Sequence, residues 1–207
     1  MKTIIYIDGF NFYYRAVKNT KYKWLDFKAL FLKLLSANNQ IVQIKYFTAL
    51  VSGKQNPNKP VKQQTYIRAL QSYIPEIQIY YGHFLTHEVY APLADSKSNN
   101  KKVKIIKTEE KGSDVNLAVH LINDAWLNKF DCAVIVSNDS DLAEAMKLVR
   151  NHHPDKVLGL VMPGEGHPSK ELMDHANFVK RIRRGILKDS QLPNPIPETN
   201  ITKPIDW

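Results

Sequence analysis

The chain has 207 residues, 43% of them hydrophobic, a formal net charge of +9 and a single cysteine, Cys132. That length suits one large domain with a substantial core, while one cysteine excludes an internal disulfide and any multi-cysteine zinc site. No apolar run nears the ~20 residues needed to span a bilayer, and the positive balance points to a polyanionic partner, most commonly nucleic acid.

The opening MKTIIYIDGF starts like a signal peptide, but Asp8 interrupts it before an apolar region of adequate length, so residues 3–7 read as a strand and the protein as cytoplasmic. Residues 11–17 then begin a short helix. Asp26 is placed as an N-cap before FKALFLKLL, whose apolar spacing is helical. Strands are expected at 41–50 and 77–81, with a helix between them that carries Pro60 in its first turn and runs to about Ser72. Residues 82–108 break the rhythm. An aromatic stretch, a polar basic loop (DSKSNNKK) and the segment VKIIK predict an antiparallel hairpin or flap with a mobile tip at 96–102. Ser113 is expected to cap a helix with Asp114 in its first turn and Val115, Ala118, Val119, Ile122 and Trp126 along one face. Residues 133–136 are the most strand-like of the chain, and Cys132 beside them reads as a buried, inert thiol. A helix over 139–150, a strand over 157–162, a short helix opened by Pro168 and Ser169, and an edge strand over 178–182 complete the series. This alternation predicts an α/β fold with a mainly parallel sheet and helices on both faces. Residues 1–190 form one domain with the hairpin inserted, and 191–207 form a Pro-rich tail or arm.

Carboxylates stand where the apolar runs stop or start. Asp8 ends TIIYID, Asp139 and Asp141 follow VIVSN, and Asp114 opens the helix behind KGS. In open α/β sheets ligands bind beyond the carboxyl ends of the strands. Four carboxylates gathered at one such edge repel each other unless a cation sits among them, and hard oxygen donors select Mg²⁺ or Mn²⁺. Taken singly, each has a plainer reading: Asp8–Gly9 as a turn, the other three as acids at helix starts. Glu109 and Glu110 read as solvated, and Glu144 as solvent-facing.

The segments IYIDGFNFYY, KGSDVNLA and VIVSNDSDLAEAM, in this order and spacing, resemble the motifs of the NYN domain, a branch of the PIN-like nuclease superfamily. The resemblance spans about residues 3–182. It implies a three-layer α/β/α sandwich, with acidic residues that bind Mg²⁺ or Mn²⁺ and, in active members, cut RNA to 5′-phosphate and 3′-hydroxyl ends. Carried onto this chain, it implies that Asp8, Asp114, Asp139 and Asp141 are the metal ligands and catalytic residues. Asn11 becomes a polar neighbour, and Ser137 holds a carboxylate or a phosphate.

On the substrate side, Arg15 follows Tyr13 and Tyr14, a grouping that suits stacking of bases and contact with phosphate. One of Phe12, Tyr13 and Tyr14 is expected near the site, with the others packed. Lys111 either meets a phosphate backbone, tunes a carboxylate, or is simply exposed, and the lysines of 97–102 suit a wall along a nucleic acid. The expected function is a metal-dependent ribonuclease that binds RNA, has no membrane association and is compatible with a homo-oligomer. The alternative is an RNA-binding or protein-interaction module with a silent site on the same fold. A Toprim-like nuclease would carry glutamate where Asp8 stands, and no phosphate loop of the G-x-x-x-x-G-K-[ST] type is present.

Overall fold

The computed structural model describes residues 1–53, 56–93, 102–205 and 207. The first strand, β1 (Lys2–Asp8), leads into α1 (Gly9–Phe12) and a π-helical turn at Tyr13–Val17. Then follow α2 (Phe27–Leu34), β2 (Gln40–Thr48), α3 (Asn58–Tyr73) and β3 (Ile77–Tyr81). An arm of two antiparallel strands, β4 (His83–Pro92) and β5 (Lys102–Lys111), precedes α4 (Ser113–Trp126). The chain continues through β6 (Cys132–Val136), a 3₁₀ turn at Ser140–Leu142, α5 (Ala143–His152), β7 (Val157–Met162), α6 (Lys170–Met173), β8 (Phe178–Arg181) and α7 (Arg184–Lys188).

The six long-range strands form one sheet in the order β3-β2-β1-β6-β7-β8, with every neighbouring pair parallel. β1 lies near its middle, which is why TIIYI is apolar at consecutive positions: both faces of a parallel central strand are covered. Ile5 and Ile7 pack toward α2 and α3 with Leu30, Phe31, Tyr66 and Leu70. Ile4 and Tyr6 pack the other way, toward α4 and α5 with Leu117, Leu121, Met146 and Val149. The result is the expected three-layer α/β/α arrangement. Asp26 caps α2 by accepting the Ala29 N–H at 3.0 Å, as its position predicts. Cys132 is fully buried, and burial pushes its thiol up to about 11.

Three expectations change. On α4, Leu117, Leu121 and Ala125 face the sheet, whereas Val115, Val119 and Trp126 are exposed, and Ala118 and Ile122 are only partly buried. The helix carries two partly apolar stripes. The buried one is aligned with Asp124, which accepts the Tyr6 hydroxyl at 2.7 Å and pairs with the buried Lys45 of β2. A buried ion pair of this kind opposes turning another face inward, because either charge left alone would be severely destabilising. Second, Ser113 is not the cap of α4 but its first residue. Gly112 sits before it at φ 97°, a left-handed conformation that glycine adopts without strain. Third, the Pro-rich stretch expected as a tail packs back onto the α2–α3 face. Leu192 and Ile196 are buried, Trp24 donates its indole N–H to the Pro193 carbonyl at 3.0 Å, and the Trp207 ring lies 5.3 Å from that of Tyr66. The predicted mobile tip and its lysines, up to Lys101, lie outside the described residues.

Candidate active site

After β1 the chain moves outward through β2 and β3, then returns to the other side of β1 to lay down β6, β7 and β8. The switch in direction falls between β1 and β6, and there the loops leaving the two strands diverge and open a crevice. Asp8 is the last residue of β1, and Asp139 lies just past the end of β6. The topology thus delivers both to one place.

Asp8 is 3% exposed. Its Oδ1 accepts the Asn11 N–H at 2.9 Å, capping α1, and its Oδ2 accepts the Ser137 hydroxyl at 2.8 Å. Gly9 must be glycine because a side chain there would meet the Phe47 carbonyl at 2.6 Å and the Tyr46 ring. Ser137 is fully buried and also accepts the Asp139 N–H at 3.1 Å, so it stands behind the carboxylates and braces Asp8 rather than facing a phosphate. Asp139 Oδ1 in turn accepts the Asp141 N–H at 3.1 Å. Asn11 Oδ1 accepts the Asn138 N–H at 3.1 Å. The Asn138 side chain accepts the Ser169 N–H at 2.8 Å and donates to the His167 carbonyl at 3.1 Å, lacing three loops together.

Asp8, Asn11 and Asp139 line a cleft of about 390 Å³, together with Asp114 and Arg15. Two aromatic side chains that the sequence did not single out join them, with one acid that it favoured as solvated. Phe10 and Phe84 line the cleft, as does Glu110 from the end of β5. Glu110 accepts both the Ser113 N–H at 3.1 Å and the Ser113 hydroxyl at 2.7 Å, so it caps α4 from the arm. Its only sequence signal was an acid three residues before a helix start, which also describes a solvated glutamate. Tyr14 lines the cleft, while Phe12 is buried in the core and Tyr13 packs its ring against Tyr14. Asp141 is exposed and outside the cleft lining. Lys111 is exposed and pairs with Glu109 at 3.5 Å, also away from the cleft.

The electrostatics follow from this crowding. Burial raises the Asp8 carboxyl, and the Asp139 charge raises it further, against hydrogen bonds from Asn11 and Ser137 that lower it. Burial, and then the charges of Asp8, Asp139, Glu110 and Asp141, push Asp114 up to about 7. Among the described residues, none of these carboxylates forms an ion pair with a lysine or arginine. Their coupling is through space: among the described residues, no three His, Cys, Asp or Glu side chains form a ready-made metal cluster. An all-oxygen donor set with unrelieved mutual repulsion nevertheless fits a hard divalent cation, which would draw the carboxylates together.

The fold is that of a three-layer α/β domain with an acidic crevice at the carboxyl edge of its parallel sheet. The NYN domain model matches residues 2–182, and the chain belongs to that family, within the PIN-like nuclease superfamily. NYN nuclease-like domains generally use divalent metal ions. Over its full length the chain is 33% identical to a Pseudomonas putida protein named 6-hydroxy-3-succinoylpyridine 3-monooxygenase HspA, covering 75% of that relative. A crystal structure of a protein of unknown function from Vibrio parahaemolyticus shares the fold with a TM-score of 0.55 at 17% identity, over 92% of this chain and 96% of the other. Among the described residues no helix is long and apolar enough to cross a membrane.

Proposed function

We propose that this chain is a metal-dependent ribonuclease of the cytoplasm, hydrolysing RNA phosphodiesters in the crevice between β1 and β6. The observation that carries this reading is the group Asp8, Asp114 and Asp139, with Glu110 and Asp141 around it, at the carboxyl edge of the sheet and without a cationic partner among the described residues. Mg²⁺ or Mn²⁺ held by these carboxylates would supply an activated water and relieve charge on the phosphate. The chain's own residues do the rest. Ser137 and the Asn11 N–H hold Asp8 in one orientation with lone pairs left over on both oxygens. Arg15 meets the phosphate, a planar cation suited to that geometry. Water adds to phosphorus and the bond to the 3′-oxygen breaks, leaving a 5′-phosphate and a 3′-hydroxyl. Wild type incubated with Mn²⁺ and a panel of RNAs should cut, and Asp8→Asn should lose at least about a hundredfold in rate while keeping its melting temperature within a few degrees. Intact RNA across the panel would refute the reading.

The full-length likeness to a named monooxygenase supports a second reading, oxygenation of a small heteroaromatic ring in the same cleft. One oxygen atom of O₂ would be inserted into a ring C–H bond to give a ring hydroxyl, and the other would leave as water, with two electrons from an added reductant and two protons. Incubating the protein with 6-hydroxy-3-succinoylpyridine, O₂ and a reduced nicotinamide, and following loss of the substrate, separates the two readings.

A further inference from the structure

The cleft holds more aromatic surface than phosphodiester hydrolysis requires. Phosphate and cation need oxygen donors and positive charge, yet three rings line this acidic crevice. Phe84 reaches in from the base of the β4–β5 arm, and its ring meets that of Phe10 edge to face at 5.7 Å and 83°. Tyr14 is 59% exposed but not loose: the Tyr13 ring packs against it at 5.4 Å, and the Lys18 ammonium sits 4.6 Å from its centroid. Arg15 follows it directly, and no side chain could replace hydrogen at Gly164 without striking the Arg15 carbonyl, so the backbone here is closely backed. Among the described residues Arg15 makes no ion pair.

We infer that Phe10, Tyr14 and Phe84 form a slot for one flat heteroaromatic ring, with Arg15 placed for an anionic group attached to that ring. Aromatic side chains lining a cleft favour a π-surface over an aliphatic chain, and arginine matches phosphate or carboxylate with paired donors. The volume of about 390 Å³ lies at the small end for ligand sites and is ample for one such ring with its anionic group attached. A base inside a duplex keeps both faces covered, so a nucleotide enters only unpaired and unstacked. Two sources share this chemistry: a single nucleotide of an RNA strand, and a small pyridine-type acid. The slot is independent of which reaction follows.

Binding of ring probes to the full chain, without any bond to cleave, tests the inference apart from catalysis. 2-Aminopurine riboside 5′-monophosphate is titrated by its fluorescence, with Mg²⁺ and with chelator. Pyridine-3-carboxylate and ribose 5-phosphate are measured as competitors. At least one ring probe should bind, and the ring-free ribose 5-phosphate should bind at least about tenfold more weakly. Phe84→Leu and Tyr14→Leu should each weaken the ring probe by roughly five- to a hundredfold, the range expected for one lost stacking face. Tyr90→Leu, on the outer arm and 72% exposed, should leave binding unchanged. Tighter binding of the nucleotide assigns the slot to RNA, and tighter binding of the pyridine acid assigns it to a small substrate. The inference is overturned if ribose 5-phosphate competes as well as the ring probes, if neither ring probe binds, or if both leucine variants, shown folded by circular dichroism, bind as wild type. Loss of RNA cleavage in Asp8→Asn bears on the nuclease reading alone.

Discussion

Replacing Asp114 with Asn should stabilise the protein in the absence of divalent ions. Burial and the charges of Asp8, Asp139, Glu110 and Asp141 move this carboxyl from 3.8 up to about 7. Read as a full free-energy difference, that is about 4 kcal/mol against the folded state when the group is ionised. Asp114 is only half-buried, so screening by solvent reduces the expected effect to about 1–2 kcal/mol. Because the carboxyl is raised in the folded protein, its ionisation opposes folding. The penalty is absent below its unfolded value, grows through the window from about pH 4 to about pH 7, and is complete above that. Asparagine keeps the shape and removes the charge. Thermal unfolding in chelator at about pH 8 should show Asp114→Asn melting roughly 2–8 °C above wild type, with the gap narrowing toward about pH 4. Added Mn²⁺ should reverse the order, since an ion that binds the folded carboxylates raises the wild type more. A variant that melts at or below wild type in chelator, or an equal response of both proteins to Mn²⁺, would refute the claim that these charges crowd one another.

Ser137→Ala should remove the hydroxyl that braces Asp8 and caps the Asp139 N–H, destabilising the protein by about 1–3 kcal/mol in urea unfolding and slowing RNA cleavage by more than that loss of stability explains. Burial would raise the Asp124 carboxyl, but hydrogen bonds from Lys45 and Tyr6, with the Lys45 charge, hold it below the usual range. It therefore contributes stability above that range that is lost as pH falls through its lowered folded value, and wild type should lose stability in acid more steeply than Asp124→Asn. Lys45→Met leaves the Asp124 charge buried with the Tyr6 hydroxyl and, as its one cation among the described residues, the half-exposed Lys129 at 3.2 Å, and should cost about 3–5 kcal/mol, measured by urea midpoint at neutral pH. Trp207→Ala should lower the midpoint by about 1–3 kcal/mol, because the ring packs on Tyr66 and Trp24 and is part of the core face rather than of a free arm.

Much of the scaffold was legible because local chemistry specifies it. TIIYID reads as a buried strand ending in a charge since every residue before Asp8 suits a strand covered on both faces, and the bounds at residues 77–81 and 157–162 agree with Ile77–Tyr81 and Val157–Met162. Asp26 announces α2 by its own hydrogen-bonding capacity. Asp8, Asp114 and Asp139 were visible as acids at the ends of elements, and a parallel sheet brings such ends to one edge. What the chain did not disclose depends on pairs far apart in sequence. Helical spacing alone could not rank the two stripes of α4, because the choice was made by Asp124 meeting Lys45, 79 residues away, out of reach of any local pattern. Phe84 came to line the cleft only when the arm set its base beside Phe10, far away in sequence. Residues 191–207 read as a loose end because prolines and polar side chains give no periodic signal. Trp207 finds its partners only once α3 has placed Tyr66 within 5.3 Å. Local sequence determines what each segment is and where it stops, since those depend on neighbouring residues. Which charges meet, and which ring closes a cleft, depends on distances that exist only after the chain has crossed itself.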